Sequence, residues 1–407
     1  MTVVNTSPVT EGERIHQLDV IRGFALFGIV LVNMPTFLHP VLFLPAEGLP
    51  VQHTVLDECV RLFFNMFVQT KFYTIFSFLF GAGFYLFMHR AEQKQLPMKR
   101  MYGRRILVLF TVGILHFVFL WYGDILHTYA LAGFILLLFY RKQQRTVLRW
   151  AWFLLIIYQL MMLLILLVPA DPSLENQAGK AALVMQAIQV YQDGTWSEWM
   201  QFRITHEFPI VLANEPFAVI TVLPLFLFGF TAARQGIIQR TMDHLSAIKR
   251  VWWTSLVMSI PLVGMIPLLQ AGWIVLPAAK STSITVFVGW SGLTLCAFYI
   301  SSLLLLCSRE QWRKRFSSLA IVGRMAFTNY LLQTVVFVFI SRVFAVYGTV
   351  SLVTGTFICL ILFAGQVAFS SWWLSRYYYG PLEWVWRCLT YANRVPLRKD
   401  KKLQPLS

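Results

Sequence analysis

Charge is what this sequence has least of. Only 13% of its 407 residues are Asp, Glu, Lys or Arg, against about 25% in a soluble domain. That scarcity excludes an ordinary soluble protein, a disordered chain and a coiled coil. Acids are the rarer sign, 18 against 34 Lys and Arg, for a formal charge of +16. Cysteine is also sparse. Cys59, Cys296, Cys307, Cys359 and Cys388 are odd in number and scattered, with no CxxC pair, which argues against a disulfide framework or a zinc site. The first 18 residues lack a basic leader region, and no small-residue cleavage motif follows the first apolar run. That run reads as a retained span and not as a signal peptide. Low-complexity linkers, a second soluble domain and a convincing internal repeat are all missing, and the last absence disfavours an inverted-repeat transporter.

What is present is oil. Hydrophobic residues make up 57% of the chain, and mean hydropathy is +0.64. A spanning helix needs roughly 20 mostly apolar residues. Such runs fall near 20–38, 66–88, 105–122, 125–140, 149–168, 217–233, 251–270, 284–307, 325–347 and 351–374. The expected fold is an all-α integral membrane protein, a bundle of about ten transmembrane helices with both termini cytoplasmic. The third and fourth runs are separated only by Tyr122-Gly123-Asp124 and form a tight hairpin at the outer face. Segment 53–65 has mixed polarity and reads as interfacial.

With the N-terminus inside, every Lys and Arg falls in a cytoplasmic segment except Arg61, Lys71, Lys180, Arg203, Lys280 and Arg342. This is the positive-inside pattern, so topology accounts for most of the positive charge and a nucleic-acid partner is not implied. The acids Glu47, Asp57, Glu58, Asp124, Asp171, Glu175, Asp193, Glu198, Glu207 and Glu215 fall on the outer half. The expected organisation is a cytoplasmic segment 1–18, a membrane domain 19–374 and a basic cytoplasmic tail 375–407. External segment 169–215 carries a helix-like stretch followed by Trp196 and Trp199, read as an amphipathic helix anchored on the outer leaflet.

Ionisable groups inside a membrane are costly and are functional candidates by default. Asp19 and Arg22, three apart at the start of the first span, share a helix face. They are either a capping ion pair or an anion site at the cytoplasmic mouth. Asn33 lies about 16 Å further along the same axis and is read as helix–helix glue or a ligand contact. Lys71 near the outer face is a snorkelling lysine or a ligand contact. His116 stands shortly before the hairpin turn, Asp124 in it, and His127 one helical turn beyond. A histidine held by a carboxylate is a general-base or acyl-acceptor arrangement; a neutral histidine bonded to a backbone carbonyl is the alternative. No standard metal spacing is present, and no metal is expected. Asn329 and Gln333, four apart, point into the bundle. Glu383 and Arg387 lie one turn apart in GPLEWVWR. Arg22, Arg324 and Arg387 share the cytoplasmic side and could converge on a phosphorylated ligand.

Five blocks, LDVIRGFALFGIVLVN, KFYTIFSFLFGAGF, GILHFVFLWYGDILHTYALAG, GRMAFTNYLLQT and GPLEWVWR, resemble the YeiB-like family of bacterial multipass membrane proteins. They run from about residue 14 to residue 392. More remotely, that family resembles the transmembrane acyltransferases that include the heparan-glucosaminide acetyltransferases. Their pattern of an Arg near the first helix plus an intramembrane His has counterparts in Arg22 and His116. Here the His follows in the third helix, beyond the short spacing of the commoner surface-sugar acyltransferases.

The resemblance implies a bacterial inner-membrane protein that moves an acyl group from a cytoplasmic acyl-CoA-type donor. The acceptor is a small molecule, glycan or lipid near the outer face. Three functional readings follow. In the first, His116 oriented by Asp124 is the base or acyl carrier, and Arg22, Arg324 and Arg387 hold the donor. In the second, a small-solute permease uses His116 and Asp124 for proton coupling. The third is a non-enzymatic membrane component, which has little need for internal polar residues.

Overall fold

The computed structural model describes residues 14–44, 54–170 and 177–399. The segment up to residue 13, the acids Glu47, Asp171 and Glu175, and tail residues 400–407 lie outside the described residues. The described residues are helical throughout apart from connections and an isolated bridge between Tyr377 and Arg398. Sixteen helices follow one another. They are α1 (His16–Leu38), α2 (Val55–Phe67), α3 (Lys71–Gln93), α4 (Met98–Phe119), α5 (Leu126–Leu136), α6 (Gln144–Leu167), α7 (Gln177–Gln192) and α8 (Trp196–Phe202), then α9 (Phe208–Arg234), α10 (Leu245–Gln270), α11 (Lys280–Cys307), α12 (Glu310–Arg315), α13 (Ser317–Arg324), α14 (Ala326–Val343), α15 (Leu352–Arg376) and α16 (Pro381–Tyr391).

Among the described residues, 9 helical segments are long and apolar enough to cross a membrane. The chain is a multi-pass membrane protein. The ten spans expected from the sequence reduce to nine because the fourth is short. Helix α5 and its 3-10 continuation end at Phe139, giving about 21 Å at ~1.5 Å per residue against a hydrocarbon core of about 30 Å. The α4–α5 turn is therefore covered by protein instead of forming an outer-face loop: Trp121, Tyr122 and Asp124 are all buried. Arg203, expected in an external segment, is fully buried above that turn. Its guanidinium donates to the carbonyls of Val118 and Phe117, two acceptors that the end of α4 would otherwise leave orphaned. A single π turn, Arg203–Glu207, joins α8 to α9 and aims Arg203 at them.

Helix α2 occupies the segment read as interfacial. It ends where Thr70 adopts a left-handed backbone, φ 67°, held by its hydroxyl on the Val288 carbonyl at 2.8 Å. Helices α7 and α8 occupy the external stretch. Trp196 is exposed, but Trp199 is not the lipid anchor expected from the sequence. It is 1% exposed and lies between the guanidiniums of Arg203 and Arg342, at 4.7 and 5.3 Å from its ring. Cation–π contact with the buried Arg203 and the half-buried Arg342 holds the ring inside the protein.

Helix α1 is the hub, packed against α3, α13, α14 and α15. Two glycine crossings set its surroundings. A Cβ on Gly23 would strike the Leu319 carbonyl, and one on Gly323 the Asp19 carbonyl. Gly81 and Gly229 make the same reciprocal fit between α3 and α9, against the backbones of Phe226 and Phe78. In lipid, close backbone approach through small residues replaces the hydrophobic force as the means of association.

Candidate functional site

The α4–α5 hairpin closes because Gly113 lacks a side chain; a Cβ there would meet the His127 backbone nitrogen. That approach brings three sequence-predicted residues together. His116 Nδ1 lies 2.8 Å from Asp124 Oδ1, and His127 Nδ1 lies 2.8 Å from Asp124 Oδ2. The His127 backbone N–H also donates to Asp124 Oδ2, at 3.1 Å. The expected contact of His116, Asp124 and His127 is present, and a fourth group extends it. Glu215, on α9, takes His127 Nε2 on its Oε2 at 3.1 Å and the Thr128 hydroxyl at 3.2 Å.

The hydrogen bonds dictate the proton positions. A carboxylate only accepts. His116 must donate from Nδ1, so a neutral ring keeps its lone pair on Nε2, an atom with no hydrogen-bond partner. His127 faces a carboxylate from each ring nitrogen, so with both acids ionised it is an imidazolium. The chain His116–Asp124–His127–Glu215 then carries one net negative charge, and a proton taken by His116 Nε2 neutralises it. The arrangement favours His116 as a base. The His116 ring is flanked by Trp121 at 6.2 Å and Tyr330 at 5.6 Å. The Tyr330 hydroxyl is buried beside this group without a hydrogen-bond partner.

A cavity of about 710 Å³ leads to this group from the far end of the bundle, a size at which drug-like and cofactor-like molecules are enclosed. It follows α3 from Gln93 to Phe76, about 26 Å along the helix axis at ~1.5 Å per residue. At its blind end the wall is Ile125, Leu126, Tyr129 and Tyr330, so Tyr330 is the partition next to His116. At its mouth stand Arg14, Arg22, Arg90, Lys94, Arg105, Arg324 and Arg387. Their acidic company is Asp19, in an ion pair with Arg22 at 3.1 Å, and Glu383.

Glu383 is occupied elsewhere. It caps the start of α14, taking the backbone N–H groups of Phe327 and Thr328 at 2.7 and 3.0 Å and the Thr328 hydroxyl at 2.6 Å. Burial pushes its carboxyl above the usual range. The mouth is thus strongly cationic. Burial and the nearby Arg324 lower the Arg14 guanidinium from its ordinary value, and the Arg324 Nε is buried without a hydrogen-bond partner. Arg105 stacks 3.8 Å from the Trp386 ring and Arg387 4.4 Å from that of Tyr379, which packs the start of α16 against the mouth.

Among the predicted substrate-binding residues, Asp19, Arg22, Arg324, Glu383 and Arg387 line the cavity. Asn33 is half-buried and does not. Lys71 does not either. It is fully buried, and its ammonium donates to the carbonyls of Asn65 at 2.8 Å and Val288 at 3.3 Å, satisfying backbone at the α2–α3 bend. Asn329 and Gln333 are interhelical ties. Asn329 donates to Val322 and to Ser370, at 3.2 and 3.0 Å. Gln333 donates to Leu26 and to Gln366, at 3.3 and 3.0 Å. Sequence reasoning passed over Arg14, Arg90, Lys94, Arg105, Tyr330 and Glu215. The basic four were visible as charges beside span ends. Glu215 carried a signal too, an acid next to an apolar span.

Comparison with known proteins places the chain. Residues 232–393 match the family model "Protein of unknown function (DUF418)". YxaH of Bacillus subtilis, an uncharacterised protein, is 33% identical, covering 97% of this chain and 99% of its own length. A 39.9 kDa protein from the amylase 3′ region of Bacillus acidopullulyticus is 30% identical, with 97% and 99% coverage. YeiB of Escherichia coli is 23% identical, with 94% and 98% coverage. The chain belongs to the DUF418 family and is homologous over nearly its full length to the uncharacterised bacterial proteins YxaH and YeiB.

Proposed function

We propose that this protein is a membrane acyltransferase that takes an acyl-CoA-type donor from the cytoplasm and acylates an acceptor near the outer face. One observation carries the reading: a deep, largely apolar cavity with seven cationic side chains at its mouth and the His116–Asp124 pair behind its blind end. Guanidinium groups suit phosphates, so the mouth fits the phosphorylated part of the donor. The channel fits a thioester arm entering the bundle. His116 Nε2 then removes the proton from an acceptor hydroxyl, the alkoxide oxygen attacks the thioester carbonyl, and the C–S bond breaks. The proton returns from Nε2 to the departing thiolate, so His116 ends unchanged. Asp124 fixes the His116 tautomer and stabilises the imidazolium between the two transfers. His127 and Glu215 hold Asp124 in place.

The test is CoA and acyl-CoA binding to the purified full-length protein, followed by single-turnover transfer from a radiolabelled acyl-CoA into a membrane extract. The expected result is saturable binding, weakened about tenfold or more by joint Arg22→Ala and Arg324→Ala substitution. Transfer is lost in His116→Ala while binding is kept. Absence of CoA binding overturns the proposal and favours the permease reading, in which the same histidine–carboxylate chain couples protons.

A further inference from the structure

Beyond the hairpin, on the side of His116 away from the cationic mouth, is a second and much smaller void. Its volume is about 10 Å³, and its walls include Thr36, Phe37, Trp121, Trp199, Ser341 and Arg342. Four of these side chains bring a polar atom with no hydrogen-bond partner: Trp121 Nε1, Trp199 Nε1, Ser341 Oγ and Arg342 Nη1. Trp121, Trp199 and Ser341 are 5%, 1% and 2% exposed. Buried indole N–H groups ordinarily find an acceptor, and leaving one unmet is costly. Four residues that carry such an atom line this one void.

Their chemistry is one-sided. Indole and guanidinium nitrogens donate and cannot accept. Three of the four atoms are therefore obligate donors, and the serine hydroxyl, with its two lone pairs, can accept from two of them at most. The neighbouring carboxylate is taken, since Glu207 receives Arg203 Nε at 3.0 Å and the Tyr191 hydroxyl at 2.6 Å. The other Arg342 terminal nitrogen is committed to the Gly194 carbonyl at 2.7 Å. What the void lacks is acceptor oxygens carrying negative charge. A water molecule would complete these hydrogen bonds but would bring no negative charge to pair with the Arg342 guanidinium.

We infer that this void is the closed form of an oxyanion-binding site that holds the anionic group, a phosphate, of the acyl acceptor. The inference rests on the acyltransferase reading and names the acceptor's chemistry. Trp121 is shared by both places: its ring lines the void and lies 6.2 Å from the His116 ring. An acceptor phosphate bound by Arg342, Ser341 and the two indoles would lie across Trp121 from His116, with its hydroxyl arm directed at Nε2. The void is too small for a phosphate as it stands. Binding therefore moves Trp121 off Phe37, now 4.4 Å away between ring centroids, and opens the route to His116 at the same moment.

The same chemistry could come from a soluble phosphate or from a lipid headgroup, and the experiment has an arm for each. Thermal unfolding of the full-length protein is followed with glycerol 3-phosphate in detergent, and in nanodiscs of phosphatidylglycerol against phosphatidylcholine. CoA is kept saturating to block the cationic mouth. A parallel set uses the joint Arg22→Ala and Arg324→Ala variant, which serves even if CoA does not bind. Stabilisation by either anionic probe is expected in both sets. Arg342→Gln and Trp199→Phe should weaken it at least about tenfold in apparent Kd. Ser341→Ala, the mildest change, should weaken it less and guards against misfolded variants. No stabilisation by either probe, or stabilisation indifferent to all three substitutions, overturns the inference and leaves a water-filled void. CoA binding on the same samples decides the acyltransferase reading separately.

Discussion

Glu215 receives Nε2 of His127 at 3.1 Å across 88 residues of sequence, and with both acids ionised this bond makes His127 a cation held between two carboxylates. His127 therefore serves as a fixed positive charge behind Asp124, leaving His116 as the member of the chain with a free lone pair. Glu215→Gln should leave CoA binding intact and lower the transfer rate about tenfold or more through a less well held Asp124. Rates measured at saturating donor check it. A mutant equal to wild type would make Glu215 a packing residue.

Asp124 bears the larger consequence. It accepts a hydrogen bond from each of two histidines and one from a backbone N–H. Asp124→Asn offers an amide N–H to one of them and frees His116 to adopt the other tautomer. Transfer should fall by about 10²–10⁴, with the Kd for CoA unchanged within about twofold.

Binding at the mouth should be sensitive to salt. Arg22, Arg324 and Arg387 stand at an opening to water, where the Debye length shrinks from about 10 Å at 0.1 M to about 3 Å at 1 M salt. CoA affinity should fall steadily as sodium chloride is raised through that range, and dephospho-CoA should show a shallower slope. Isothermal titration at four salt concentrations measures both.

Two glycines make a matched pair. A Cβ at Gly323 would meet the Asp19 carbonyl, whereas one at Gly103 meets nothing within 4 Å. Gly323→Ala should cost about 1–3 kcal/mol through overpacking at the α1–α13 crossing. Gly103→Ala should raise stability by about 0.5–1 kcal/mol through helix propensity. Thermal unfolding of the two variants should move in opposite directions.

Lys71 should prove dispensable for chemistry. It lies outside the cavity and bonds to carbonyls, one of which, Val288, also receives Thr70. Lys71→Met removes a buried charge at nearly constant length, so stability should change by no more than about 1 kcal/mol. Transfer should survive. A loss of transfer with normal folding would return Lys71 to the site.

Most of the membrane architecture was legible in the sequence because bilayer thickness imposes a length on every apolar run, and the runs are bounded by charges. The hairpin site was legible for a local reason: His116, Asp124 and His127 lie within two turns of one tight connection. Arg203 and Trp199 were misread because a sequence shows that a segment is external but not that it folds back over a hairpin end. Asn329 and Gln333 were correctly seen to face inward, yet inward turned out to mean the neighbouring helices α1, α13 and α15 and not a cavity.

By itself the sequence determined that the chain is a helical membrane protein, which residues bound its spans, and that one hairpin carries a histidine–carboxylate pair. Those properties depend on transfer free energies and helix spacing, which act along the chain. Only the tertiary structure decided that Glu215 completes the pair, that seven cations ring one cavity mouth, and that α5 is too short to carry its turn out of the bundle. These depend on which backbones approach each other at Gly23, Gly113 and Gly323, and close packing between distant segments has no local signature in a chain.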